Sequence, residues 1–157
     1  MTDTKAERLT AALDDFSRAA PNLQGAAVVS FDGLVMAAAV PHGMDEDRLG
    51  AMSAALLALG EQAALGLGRG PMHQLFVEGE DGYVFLMSAR GEAVLTAVVD
   101  HGAKIGLVLY EMRRAADAVG AVLERPIPDD DRFLDGLAAA AEAAVTPSAS
   151  PATPAWT

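Results

Sequence analysis

Three histidines, His42, His73 and His101, supply the only imidazoles in this 157-residue sequence, and each stands near glycine or proline in a stretch that reads as a turn or a strand end. A metal site or a general base needs converging partners, yet there is no H-x-x-x-H and no histidine with a paired carboxylate. Each is read as an exposed or locally bonded imidazole. Cysteine is absent, which removes disulfides, thiolate nucleophiles and thiolate metal sites together. Ser30, Ser53 and Ser88 have no G-x-S-x-G context, so a hydrolase triad has no support. The run Gly66-Leu67-Gly68-Arg69-Gly70-Pro71 has the glycine density of a phosphate loop. Such loops leave a strand and open a helix, whereas this one ends a helical stretch and leads to a strand-like one, so it reads as a helix stop and connection. Glu78, Glu80 and Asp81 lack calcium-loop spacing and fall in a predicted hairpin turn, and Asp129, Asp130 and Asp131 suit the acidic first turn of a helix. Arg69 and Arg90 fall in predicted loops, where an arginine can reach a partner's nucleotide in trans, although loop arginines are ordinarily surface charge. No set of residues remains for a catalytic, cofactor-binding or metal site, and the expectation is a protein that acts by contact and not as an enzyme.

Composition narrows what it contacts. Apolar residues make up 52% of the chain, enough for one domain with a sizeable core and no staples. The formal net charge of -11, with eleven scattered Lys and Arg and no basic stripe, argues against nucleic acid. The N-terminus is polar (Thr2, Asp3, Lys5, Glu7, Arg8), unlike a signal peptide, and no later run of about 18 apolar residues is free of charge and glycine. A cytoplasmic protein that does not insert into a membrane is expected.

The elements that must position any contact surface are legible from spacing. Thr4 and Glu7 match a capping box, followed by Leu9, Leu13, Phe16 and Ala20 at helical spacing up to Pro21. Apolar runs at 25–30 and 34–40 flank Phe31-Asp32-Gly33, a hairpin signal. Acidic Asp45, Glu46 and Asp47 open a second helix that should run to about Leu65. Runs at 72–78, 83–88 and 93–99, separated by four-residue turn-rich spacers, should form a meander. A third helix is expected over 104–124, through Ile105, Val108, Leu109, Met112, Ala116, Val119 and Leu123. The order α-β-β-α-β-β-β-α implies an α+β domain over 4–125, with one antiparallel sheet of five strands and helices on both faces. A further helix is expected over 129–145 and a disordered Pro/Ser/Ala/Thr tail over 146–157.

The second helix is unusual for a surface helix. Leu49, Met52, Leu56, Leu59 and Ala63 form a stripe fit to lie on the sheet, yet the opposite side holds Gly50, Ala54, Leu57, Ala58 and Leu65, and no charge falls between Arg48 and Glu61. A domain of this size cannot cover both sides of a helix by itself, so a second copy or a partner should cover the outer one. The segment Met72, Gln74, Leu75, Phe76 and Val77 carries no Pro or Lys within it. As a sheet edge it invites pairing with its twin, which would set the two second helices side by side.

Residues 6–124 resemble the Roadblock/dynein-light-chain family, in particular its bacterial members. The resemblance is carried by the run from Gly25 to Ala37, the small-residue helix from Leu49 to Leu65, the run from Val77 to Phe85, and Gly106-Leu107-Val108-Leu109-Tyr110-Glu111-Met112. Bacterial relatives of this kind are similar to MglB-type polarity regulators or to the Roadblock component of conservon operons. The resemblance implies a homodimer with a continuous sheet, and a platform of paired second helices that receives a small Ras-like GTPase. The matching outward positions here are Ala51, Ala54, Ala55, Leu57, Ala58, Glu61 and Gln62. Members of the MglB type speed GTP hydrolysis by reshaping the switch loops of the GTPase, without donating an arginine. The alternative is a small-ligand-sensing or general interaction domain of profilin-like or longin-like fold, which for ligand sensing needs a pocket with convergent polar groups.

Overall fold

In the computed structural model, residues 4–124 and 138–141 are described, and the chain divides into one unit ending at Glu124 and another from Arg125. The first unit begins with the expected capping box. Thr4 accepts from the Glu7 amide at 3.2 Å while the Glu7 carboxylate accepts from the Thr4 amide at 2.6 Å, satisfying donors that a helix start leaves free. Helix α1 (Lys5–Ala19) buries Leu9, Leu13 and Phe16 along one side. Asn22, at φ 67°, turns the chain into β1 (Leu23–Val29). The Asp32-Gly33 corner then reverses it into β2 (Val35–Ala39), with Gly33 at φ 92°, the Ser30 amide donating to the Leu34 carbonyl and the Ser30 hydroxyl accepting from the Leu34 amide. Asp45 caps α2 (Glu46–Gly66) by accepting from the Arg48 amide at 3.2 Å.

The meander β3 (Gln74–Gly79), β4 (Gly82–Ala89) and β5 (Ala93–Asp100) follows, and α3 (Ile105–Leu123) closes the unit. The sheet is antiparallel throughout, in the order β2-β1-β5-β4-β3, so β2 and β3 are its edges. Period-two alternation divides the interior between two faces. Ala26, Val28, Phe85, Leu95, Ala97 and Val99 meet α1 and α3 in the larger core, whereas Leu86, Val94 and Thr96 lie beneath α2. Helices therefore cover both faces, as the element order implies. Element bounds move by one or two residues from expectation, with one consequence: β3 starts at Gln74, so Met72 lies before the edge strand. The expected helix over 129–145 falls mostly outside the described residues, of which 138–141 are helical, and the tail over 146–157 lies wholly outside them.

At the far end of the sheet, Arg90 (φ 53°) and Gly91 (φ 76°) make the β4–β5 turn. The Arg90 stem packs where a side chain on Gly120 would stand, and its guanidinium reaches Asp117 at 3.7 Å and Glu124 at 3.3 Å. These pairs are solvent-facing and add little, but the packing ties the turn to the last turns of α3.

The tightest approach in the fold joins α2 to the β1–β2 hairpin. A Cβ on Gly50 would stand 2.6 Å from the Gly33 carbonyl oxygen and 2.9 Å from Val35 Cγ2. Gly50→Ala is expected to lower stability by about 1–3 kcal/mol in urea unfolding, as overpacking does. Gly66→Ala, whose Cβ meets nothing within 4 Å, should stay within about 1 kcal/mol of wild type. Equal effects at the two positions would contradict the clamp.

Candidate functional site

The side of α2 that meets the sheet is set by small residues. Gly50 clears the hairpin carbonyl. Ser53, buried, donates to the Leu49 carbonyl at 2.7 Å and accepts from the Thr96 hydroxyl at 2.9 Å. Leu57 is 4% exposed against Leu86 and Val94, and Gly60 leaves room for the Met72 sulfur and for Leu75. The row that meets the sheet is thus the buried Gly50, Ser53 and Leu57 with the half-buried Gly60 and Ala64, one position along from the predicted row of Leu49, Met52, Leu56, Leu59 and Ala63, of which Leu49 and Leu56 are half-buried. One residue of offset is about 100° of helix rotation. Met52 and Leu59, expected beneath the helix, stand 50% and 63% exposed.

Of the predicted platform positions, Ala51, Ala55, Ala58, Glu61 and Gln62 are exposed, and Ala54 is half-buried beside Gly33. Leu57 and Gly50, both read from sequence as outward, are corrections: they are buried against the sheet and its hairpin and are not offered to a partner. Leu65 is exposed, as read, whereas Met52 and Leu59 are exposed apolar residues that the sequence reading placed beneath the helix. The signal for them was the spacing of Gly50, Ser53 and Gly60, which marks the side where backbones come close. On the hairpin flank, Phe31, Ala54, Leu57, Ala58 and Glu61 line an open hollow of about 330 Å³. Over its most apolar 18-residue window α2 has a mean hydropathy of 1.3, so it has the length and composition of a membrane-crossing segment, although 17% of that window is buried.

The predicted edge residues Gln74, Leu75, Phe76 and Val77 do lie on an edge strand, exposed except for the half-buried Leu75. Met72 instead sits half-buried under α2. Phe76 is 55% exposed, with its ring 5.9 Å from that of Phe85.

The chemistry-bearing residues are not brought together. Among the described residues no cluster of three His, Asp or Glu is arranged for a metal ion. His42 and His73 are exposed. His101 is exposed and locally bonded, as read, but it does have a carboxylate partner: its Nδ1 lies 2.8 Å from the Asp100 carboxylate within one turn. Ser30 and Ser88 serve turns, bonding Leu34 and Gly91 amides, and Ser53 serves packing. Gly68 and Gly70, at φ 68° and 81°, end α2 as a helix stop. Arg90 is held against α3, on the sheet face opposite α2, and Arg69 is exposed in the connection after α2.

The family model of the Roadblock/LC7 domain matches residues 9–99, from α1 through β5. The chain belongs to the Roadblock/LC7 family. Two uncharacterised proteins of Methanocaldococcus jannaschii are 36% and 35% identical to it over 100 residues, which is 64% of this chain and 87% of each relative. Among solved Roadblock structures, Myxococcus xanthus MglB superposes with a TM-score of 0.72 at 20% identity, over 81% of this chain and 98% of that one. A Roadblock/LC7 domain from Streptomyces avermitilis superposes with a TM-score of 0.66 at 25% identity, over 73% and 96%. The fold is therefore the Roadblock fold.

In this Roadblock domain the hydroxyl pair under α2 generates a prediction. Ser53→Ala leaves the Thr96 hydroxyl buried without its partner and should cost about 1–3 kcal/mol. Thr96→Val leaves Ser53 bonded to Leu49 and should cost less, and the double variant should recover part of the Ser53→Ala loss, measured as a coupling in a denaturation cycle. Strict additivity would mean that the pair does not hold the helix.

Proposed function

We propose that this Roadblock protein is a cytoplasmic, homodimeric and non-catalytic regulator or scaffold for a small Ras-like GTPase, and that the GTPase docks on the outer side of α2. The observation that carries the reading is a helix with no charge from Arg48 to Glu61 whose outer side, with Ala51, Met52, Ala55, Ala58 and Leu59, is exposed. Small outward residues let another backbone approach closely, and a large exposed apolar surface marks a contact site. The family resemblance supplies the kind of partner, and the exposed Glu61 and Gln62 give the platform a polar rim. That a Roadblock fold of this kind assembles is supported by a solved MglB described as having a tetrameric arrangement, at 24% identity.

The length and apolarity of α2 do not favour a membrane over a protein as the cover. Its inner side is fixed to the sheet through Gly50, Ser53 and Leu57, and leaving the sheet would expose Leu86, Val94 and Thr96. Small-ligand sensing draws no support from the described residues, where the hollow beside Phe31 is open and every buried side-chain N or O atom has a hydrogen-bond partner.

Calorimetry with Ras-like GTPases of the same genome, loaded with GDP or with a GTP analogue, tests the reading. Wild type should bind at least one of them in a nucleotide-dependent way. Ala58→Arg, which places a long charged chain on the exposed side, should weaken binding tenfold or more while circular dichroism stays unchanged. Silence of the wild type toward all such GTPases overturns the proposal; binding untouched by Ala58→Arg moves the platform elsewhere.

A further inference from the structure

One charge stands on α2 after Arg48. Glu61 is the only charged residue from Leu49 to Gly66. It is exposed, and among the described residues it takes part in no ion pair. The last turn of α2, which follows it, holds no basic residue, so the carboxylate and the negative end of the helix dipole reinforce each other. The surroundings of Glu61 therefore favour a cation.

The same carboxylate stands at the rim of the hollow beside Phe31. Ala54, Leu57, Ala58 and Glu61 recur at three- and four-residue intervals, which sets them along one flank of the helix. Phe31, at the tip of the β1–β2 hairpin, is 47% exposed and forms the facing wall. The approach of hairpin to helix is fixed close by, where Gly33 lies against Gly50 and Ala54. The hollow, about 330 Å³ and open to solvent, thus has an aromatic wall, a wall of alanine and leucine, and a carboxylate at its edge.

These three features together select an occupant. An apolar insert would fill the hollow but enclose the Glu61 carboxylate without a partner, at a cost. A lysine would satisfy the charge as a compact, strongly hydrated ammonium that gains less from the ring. An arginine lays its methylene stem on alanine and leucine, sets its planar head on an aromatic face and donates to a carboxylate. We infer that the hollow between Phe31 and Glu61 binds an arginine side chain presented by the partner that docks on α2. This rests on the docking reading above and adds what the partner carries at this point. The net charge of -11 draws a basic partner surface toward the chain and repels lipid or nucleic-acid phosphate.

The full-length chain is titrated with a blocked alanine pentapeptide bearing one central arginine, and with the same peptide bearing lysine or norleucine, while NMR follows the Phe31 ring and the Glu61 amide. The arginine peptide should shift both signals saturably, the lysine peptide more weakly and the norleucine peptide least. Glu61→Gln should remove the advantage of arginine over norleucine, and Phe31→Leu the advantage of arginine over lysine. A norleucine peptide that binds as well as the arginine peptide, or an arginine peptide that leaves both signals unmoved, overturns the subsite. In calorimetry, Glu61→Gln should weaken a GTPase that binds the wild type about tenfold or more, since an enclosed charge on the partner loses its counterpart. A GTPase lost by Ala58→Arg yet untouched by Glu61→Gln overturns the subsite and leaves the platform standing. An arginine peptide seated at Phe31 and Glu61, with no GTPase bound by the wild type, supports the subsite and overturns the choice of partner.

Discussion

The rotation of α2 about its own axis is the constraint on which the remaining surface depends. A helix without charge over most of its length has no polar side to direct outward, so hydrophobicity alone does not choose which residues face the sheet. The choice falls to steric fit and a single polar link. Gly50 admits the Gly33 carbonyl, Gly60 admits Met72, and between them Ser53 joins the Thr96 hydroxyl to the Leu49 carbonyl. Any other rotation would put a larger side chain against the hairpin and bury the Thr96 hydroxyl without a partner, a cost of about 1–3 kcal/mol. Once these three positions are fixed, Met52, Ala55, Ala58 and Leu59 face outward of necessity.

The sheet beneath carries the complementary asymmetry. Its α1/α3 face has the larger core, with Leu9, Leu13, Phe16, Met112 and Val119 over Phe85, Leu95 and Val99. The α2 face has a smaller apolar cluster, Leu57, Leu86 and Val94, beside the buried Ser53 and Thr96. An elongated apolar helix on so small a core leaves much of its surface unused by the fold. The open edge at β3 lies next to the Gly60 end of that helix, where Gly60 meets Met72 and Leu75, so edge and helix are contiguous.

Much of this was legible in the sequence. The Thr4 and Glu7 capping box, the Asp45 cap, the Asp32-Gly33 corner and the short spacers of the meander fix the element order, because each acts through neighbours within a few residues. The edge position of β3 was anticipated from the long connection before it and its uncharged run, and the burden on α2 from its lack of charge, neither being a consequence of element order alone. What the pattern misplaced was the phase of α2. Two rows with the same three-and-four spacing run along it, and counting large apolar residues favours Leu49, Met52, Leu56, Leu59 and Ala63 over the row containing Gly50, Ser53 and Gly60. Bulk was the wrong guide where the hairpin leaves no room for a side chain. His101 is locally bonded as expected, and only its carboxylate partner was missed, because that partner is the residue just before it, Asp100.

Backbone amide exchange, followed residue by residue in the native chain, tests the central proposal, a homodimer built on the open edge beside α2. Because the Asp100 amide donates to the Asn22 carbonyl, alternation across β5 and β4 turns Leu75, Val77 and Gly79 inward to β4, and these should be protected whatever the assembly. Gln74, Phe76 and Glu78 face away from the sheet, and a paired edge predicts that the Gln74, Phe76 and Glu78 amides are protected to a comparable degree at high protein concentration and lose that protection on dilution. Rapid exchange at Gln74, Phe76 and Glu78 under every condition, with Leu75 and Val77 still protected, would contradict the account.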